Sequence, residues 1–153
     1  INVYDASSDI LTKTTRDDNN KDRLENGNYV ETCGNHYVLL VTEQGDATPA
    51  LITMKATQLK KSRKWNSMLL NLKLNGKNGL FTPPSYSHYY RLKTTKEGND
   101  KGNWYGWEVS RESQLEDANL YSIAKAFAES VNKGEVKVKY EEESSTGDQK
   151  VPF

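Results

Sequence analysis

A chain of 153 residues is long enough for one domain with a hydrophobic core, although only 35% of its residues are hydrophobic and 27% are charged. Its single cysteine, Cys33, excludes an intramolecular disulfide framework, and no apolar run approaches the length of a membrane span. We therefore expect a compact core with polar appendages, in a reducing compartment and with no membrane partner.

The charges are segregated along the chain although they cancel overall. There are 21 Lys and Arg against 21 Asp and Glu, but residues 51–107 hold eleven basic and only two acidic side chains. That segment carries a net charge of +9, and the rest of the chain carries −9. Such asymmetry is typical of a domain with an anionic ligand. Ordinary solvated charge is the alternative, and composition does not decide between the two.

The first 28 residues are polar and show no sustained period. We predict an extended or partly mobile segment over residues 1–28, with one short edge strand near residues 3–10. The chain opens on Ile1 without a targeting pattern, so we expect some of the natural N-terminus to be absent.

A strand, a hairpin and a basic helix are predicted next. Residues 29–42 are rich in β-branched and aromatic side chains, Gly45 marks a turn, and residues 49–55 alternate like a returning strand. Thr57 is the predicted N-cap of a helix that continues to Leu72. Trp65 is interpreted as the core anchor of this helix. Its exposed side carries the basic run Lys60, Lys61, Arg63 and Lys64.

The second half predicts another hairpin and a terminal helix. Residues 88–95 and 103–110 are strand-like and are joined by a polar turn at residues 97–102, and a loop is predicted around Gly76 and Gly79. The alternation predicts an inward face and an opposite face for this hairpin. The inward face contains Tyr90, Leu92, Tyr105, Trp107 and Val109.

Asp117 is the predicted cap of the last helix, and Gly134 lies where it would end. Residues 135–140 alternate like a short strand, and the rest is a polar tail. We thus divide the chain into a segment 1–28, one domain over 29–140 and a flexible acidic tail 141–153.

This element order predicts an α+β, mostly β fold. A helix between an early antiparallel set and a late hairpin is typical of the oligonucleotide/oligosaccharide-binding (OB) fold, so we predict an OB-like antiparallel barrel with a helix between strands and a C-terminal helix. A small α+β sheet with helices on one side is the competing architecture.

Aromatic and basic side chains are interleaved in the middle of the chain. A ring on a solvated face can stack a base, and nearby cations neutralise phosphates. The predicted nucleic-acid-binding residues are Lys55, Lys60, Lys61, Arg63, Lys64, Tyr89, Arg91, Lys93 and Trp104. The alternative is that the rings belong to the core and the lysines form a solvated helix face.

No motif for catalysis, a metal or a cofactor is present. His36 and His88 lie in strand-like segments outside any metal-ligand spacing, and Cys33 lacks the third member of a triad. There is no Walker loop, GxGxxG or GxSxG. We therefore predict a protein that is not an enzyme and needs no cofactor.

The tail ends in Pro152 and Phe153 after an acidic stretch and a Ser/Gly spacer. It resembles the partner-binding tail of bacterial single-stranded-DNA-binding proteins. Lys150 and the lack of an aspartate run depart from that pattern.

Three stretches carry a further resemblance: ALITMKATQLKKSRKWNSM, YYRLKTTKEGNDKGNWYGWEV and LYSIAKAFAESV. They resemble a family of bacteriophage proteins described as single-stranded-DNA-binding proteins. Members usually have an additional N-terminal portion, and no catalytic residues come with the resemblance.

The first hypothesis is accordingly a phage protein of the host cytoplasm that binds single-stranded DNA without sequence specificity during replication or recombination. Replication or recombination proteins would bind its tail, and homo-oligomerisation is left open. The alternatives are a non-enzymatic structural or interaction module of the virion and an RNA-binding regulator.

Overall fold

A computed structural model of the chain describes residues 1–136. These residues divide into two compact units, residues 1–30 and residues 31–136, which we describe separately. The tail, with Pro152 and Phe153, and most of the strand predicted over 135–140 lie outside the described residues.

The first unit contains a small antiparallel sheet with strands in the order β1 (Thr14–Arg16), β2 (Asp22–Leu24) and β3 (Tyr29–Val30). No strand occupies residues 3–10, so the predicted edge strand there is wrong. The cause is local, because the Asp5 side chain accepts a hydrogen bond from Ser7 N at 2.9 Å and folds the backbone into a turn.

The second unit opens with the predicted hairpin. Strands β4 (Cys33–Val41) and β5 (Ala47–Lys55) pair antiparallel, with Cys33 opposite Lys55 and Val41 opposite Ala47. Gly45 adopts φ +84° in the connecting turn, a conformation that favours glycine. The prediction of this hairpin is confirmed.

The basic helix α1 runs over Leu59–Asn71 and follows a 3₁₀ turn at Ala56–Gln58. The predicted Thr57 cap is wrong: Gln58 is the N-cap residue, and within residues 1–136 its side chain makes no capping bond. Ala56 has φ +48° and redirects the chain, so that Thr57 lies inside the 3₁₀ turn, one residue too early to cap α1.

Helix α1 lies against β4 through a close contact. Trp65 is only 5% exposed and stacks on His36 at 4.4 Å between ring centroids, which confirms it as the core anchor. A Cβ on Gly34 would overlap the hydroxyl of Ser62, so this approach requires glycine.

Where a loop was predicted around Gly76 and Gly79, the chain forms a short hairpin of β6 (Leu74–Gly76) and β7 (Gly79–Phe81). A long hairpin of β8 (His88–Asn99) and β9 (Gly102–Gln114) follows, with a register shift between His88 and Tyr90.

The inward face predicted for this long hairpin is only partly correct. Leu92 and Trp107 are half-buried, but Tyr105 is 72% exposed. Tyr105 lies near the hairpin tip, opposite Lys96, and the described part of the chain leaves its ring uncovered.

Helix α2 (Ala118–Asn132) has the predicted ends. Asp117 Oδ1 accepts a hydrogen bond from Leu120 N at 2.9 Å, and Gly134 adopts φ +72° just past the last turn. Leu120 and Ala124 of this helix are buried, whereas Ile123 is 44% exposed.

The α+β, mostly β class is confirmed, with two α-helices and antiparallel sheets throughout residues 1–136. The strands of that region form four separate sheets and no closed barrel, so the OB-like closure is not confirmed. None of the described helices combines the length and apolar character required to cross a membrane.

Candidate nucleic-acid interface

A surface pocket of about 410 Å³ lies between the start of α1 and the tip of the β8–β9 hairpin. It brings together Lys60, Arg63 and Trp104, three of the predicted nucleic-acid-binding residues. The remaining lining residues are small or uncharged: Ala56, Thr57, Leu59, Gly98 and Asn99. A flat ring and two exposed cations therefore share one concave surface.

A hydrogen-bonded clamp around Glu97 holds this pocket together. The carboxylate accepts from Lys61 Nζ at 2.5 Å, from Trp104 Nε1 at 3.0 Å and from Gln58 Nε2 at 3.3 Å. Gln58 Oε1 in turn accepts from Trp107 N at 2.8 Å. The start of α1 is thereby fixed to both strands of the hairpin.

The pKa of Glu97 is held below its ordinary value, first by the hydrogen bond from Lys61 and then by those from Gln58 and Trp104. Gly106 makes room for this carboxylate, because a Cβ there would overlap Glu97 Oε2. A glycine between aromatic residues of a strand, as in WYGW, can indicate the close approach of another group. The sequence analysis did not predict this approach of Glu97 to Gly106.

The start of α1 is electropositive. Its first turn contains no acidic residue, and within the described part of the chain the N-cap residue Gln58 makes no side-chain capping bond. The positive end of the helix dipole therefore adds to the charges of Lys60 and Arg63. Ala56, which lines the pocket, keeps a left-handed conformation that is rare for a residue with a side chain. This combination of charges can hold an anion such as a phosphate.

Four other predicted cations have structural partners instead. The pairs are Lys55 with Glu31 at 3.2 Å, Lys61 with Glu97 at 2.5 Å, Arg91 with Glu112 at 3.0 Å and Lys93 with Glu108 at 3.8 Å. In all four pairs the carboxylate lies more than ten residues from its cation in the sequence. The sequence around the basic residues therefore could not show these ion pairs.

Within residues 1–136, by contrast, Lys60, Arg63 and Lys64 have no carboxylate at ion-pair distance. Lys64 is exposed on α1, one helical turn after Lys60, and it extends the positive surface beyond the pocket. These three side chains are the cations best placed to meet a ligand.

Tyr89 does not join this pocket. It lines a separate cavity with Trp65 and Tyr90. Of the two rings predicted to stack bases, Tyr89 and Trp104, only Trp104 lies in the pocket with Lys60 and Arg63.

The histidines and the cysteine have structural surroundings. His36 Nε2 lies 2.8 Å from Ser62 Oγ, and burial lowers the pKa of His36. Ser62 is only 3% exposed, which keeps it from a substrate. The pKa of Cys33 is raised, first by burial, so the reactive thiolate is disfavoured. Residues 1–136 contain no group of His, Cys, Asp and Glu that could hold a metal ion.

The family of the chain is established by comparison with known proteins. The model of the Pam3 phage gp34-like protein family matches residues 2–137. The match covers most of the chain, which therefore belongs to this bacteriophage family. Its description names a phage and a gene product and states no activity. No curated protein and no solved structure matches the chain.

Proposed function

We propose that this phage protein binds single-stranded DNA at the pocket formed by α1 and the long hairpin. The observation that carries the proposal is the meeting of Lys60, Arg63 and Trp104 on one concave surface at the electropositive helix start. Phosphates require positive charge, and a base requires a flat ring beside it.

In this proposal Lys60 and Arg63 hold consecutive phosphates, and Lys64 continues the path along α1. A base stacks on Trp104, whose indole edge is oriented by Glu97. Stacking and charge contacts do not distinguish base sequence, so binding is unspecific. In this proposal one face of a β-hairpin receives the bases, by analogy with the way OB folds bind oligonucleotides.

Replication or recombination in the host cytoplasm is the proposed setting, and the tail ending in Pro152 and Phe153 is the proposed contact for other replication proteins. Removal of these two residues should leave DNA affinity unchanged and abolish binding to such a partner. Loss of DNA affinity on this truncation would contradict the assignment of the tail.

Fluorescence anisotropy of labelled oligo-dT at several salt concentrations tests the DNA-binding proposal. Three phosphate contacts predict a log–log slope of affinity against salt of roughly −2, at about 0.7 per contact. Lys60→Gln with Arg63→Gln should reduce the magnitude of this slope by roughly 1.4.

The matched control is Lys125→Gln with Lys133→Gln, which removes the same charge at α2 and its C-terminal end. This variant should bind like the wild type. If both double variants lost the same affinity for DNA, net charge alone would account for the binding and the pocket would not be the site. No binding of the wild type at low salt would refute the proposal. Oligo-rU in competition decides between DNA and RNA.

A second candidate is a non-enzymatic interaction module of the virion. Its support is the exposure of large apolar side chains, with Leu70 at 67%, Leu80 at 70% and Phe81 at 46%. Mass spectrometry of purified particles tests this candidate. Stoichiometric recovery in particles together with no affinity for oligo-dT would favour it over the DNA-binding proposal.

A further inference from the structure

The pocket between α1 and the tip of the long hairpin presents more hydrogen-bond donors than acceptors. The described residues that line it include Lys60 and Arg63, which only donate, and no Asp, Glu or Gln. Trp104 has one polar side-chain atom, and its Nε1–H is already donated to Glu97 at 3.0 Å. The volume of about 410 Å³ is near the small end of the range for ligand sites and suits a single nucleotide. A nucleotide in this pocket therefore meets mainly donors.

Asn99 is the side chain of this lining that is best equipped to recognise the edge of a base. Its Oδ1 accepts a hydrogen bond from Lys101 N at 2.8 Å across the turn of the long hairpin. A main-chain N–H bonds to the oxygen of a side-chain amide and not to its nitrogen, so this contact fixes which end of the amide is which. Asn99 can therefore offer a ligand its Nδ2, which carries two N–H groups.

The other oxygen-bearing side chains of this region are also engaged as acceptors. Thr57, which lines the pocket, has an Oγ1 that accepts from Gln58 Nε2 at 3.2 Å, and its O–H remains to donate. The carboxylate of Glu97 is occupied by Lys61, Gln58 and Trp104. A base that enters the pocket finds donors at Asn99 and Thr57, whereas these side-chain oxygens each accept a hydrogen bond already.

We propose that the pocket prefers thymine to cytosine as the base that stacks on Trp104, and that Asn99 determines this preference. The proposal rests on the DNA site proposed above. Thymine has a carbonyl oxygen, O4, at the position where cytosine has the amino group N4–H₂. Nδ2 of Asn99 donates to the carbonyl of thymine, whereas the amino group of cytosine meets a second donor there. Both bases are pyrimidines with rings of the same size, so stacking on Trp104 does not separate them.

The expected preference is modest because Asn99 is exposed to water. A single net hydrogen bond corresponds to about a 2- to 10-fold difference in affinity. The contacts to phosphates and the stacking itself do not distinguish the bases. Strands of any sequence should therefore bind, and thymine-rich strands should bind more tightly.

Fluorescence anisotropy of labelled oligo-dT, competed with unlabelled oligo-dT or oligo-dC of equal length, tests this preference. The wild type should bind oligo-dT about 2- to 10-fold more tightly than oligo-dC. Asn99→Asp keeps the oxygen that accepts from Lys101 N and replaces the donor with an acceptor, so the order of the two oligonucleotides should reverse. The added negative charge weakens the binding of both, and for this reason the ratio of the two affinities is the readout.

The matched control is Asn103→Asp, which adds the same charge on β9 at a residue outside the described lining of the pocket. This variant should keep the wild-type ratio. Equal affinities of the wild type for oligo-dT and oligo-dC would overturn the role of Asn99 while the DNA site stands. An unchanged ratio in Asn99→Asp, or the same change in Asn103→Asp, would also overturn it. No binding of either oligonucleotide at low salt would overturn the DNA site and this preference together.

Discussion

Two tryptophans of the basic segment 51–107 lie in contrasting surroundings. Trp65 is 5% exposed, stacks on His36 and faces an uncharged cavity. Trp104 is half-buried, is oriented by a carboxylate and lines a pocket with the cations Lys60 and Arg63. The same residue type therefore serves the core in one region and the proposed DNA site in the other, and the neighbouring charges make the difference.

The largest expected loss of stability follows from Trp65→Ala. Removal of a buried indole leaves a cavity, so we expect the free energy of unfolding to fall by about 3–5 kcal/mol. Urea denaturation measures this loss. Trp104→Ala should cost distinctly less, because its ring is only half-buried. Equal losses for the two variants would show that Trp104 is a core residue as well.

Gly34→Ala tests the contact between β4 and α1 that positions Trp65. The added methyl group would overlap Ser62, so we expect a loss of about 1–3 kcal/mol in unfolding free energy. Adding Ser62→Gly should recover part of the loss despite the low helix propensity of glycine. If Gly34→Ala were as stable as the wild type, α1 would have to lie farther from β4.

Glu97→Gln tests the clamp under Trp104. The variant lacks the negative charge that pairs with Lys61, so the midpoint of urea denaturation should fall, by less than in Gly34→Ala. Glu112→Gln, which removes the exposed partner of Arg91, should change the midpoint less still. A larger effect at Glu112 would contradict the clamp.

The pH dependence at His36 is the smallest effect. Burial places the folded-state pKa of His36 below its ordinary value of 6.5, so the unfolded chain binds more protons between these two values. This contribution to stability is complete above pH 6.5 and is lost as the pH falls through the folded-state pKa. His36→Gln should flatten the dependence of unfolding free energy on pH in this window, and an unchanged dependence would contradict the assigned burial of His36.

Local patterns predicted a substantial part of the fold. The first hairpin, Trp65 as core anchor, the Asp117 cap and Gly134 depend on short-range geometry and are confirmed. Residues 14–30 form a sheet of strands at most three residues long, which are too short to show a period. Tyr105 alternates in phase with the buried residues of β9. Burial also requires another element to cover the side chain, and the alternation of residues along a strand gives no information about such an element.

Part of the candidate site was also within reach of the sequence. The run from Lys60 to Lys64 and the ring of Trp104 are visible in the residues alone. The division of the cations into those with and without a carboxylate partner depends on residues far along the chain, such as Glu97 beside Lys61. Tertiary distance decides this division, so sequence spacing does not reveal it.

The most direct test of the proposed DNA site compares oligo-dT affinity of the wild type, Trp104→Ala and Tyr105→Ala by fluorescence anisotropy. These neighbouring rings lie on opposite faces of β9, and Tyr105 is 72% exposed. Loss of base stacking should cost Trp104→Ala about 1–3 kcal/mol in binding, which is roughly 5- to 150-fold in affinity, while Tyr105→Ala should bind as the wild type does. Trp104→Phe, which keeps a ring but loses the bond to Glu97, should retain most of the affinity. Equal affinities of the wild type and Trp104→Ala for oligo-dT, or a loss of affinity confined to Tyr105→Ala, would contradict the proposal that a base stacks on Trp104.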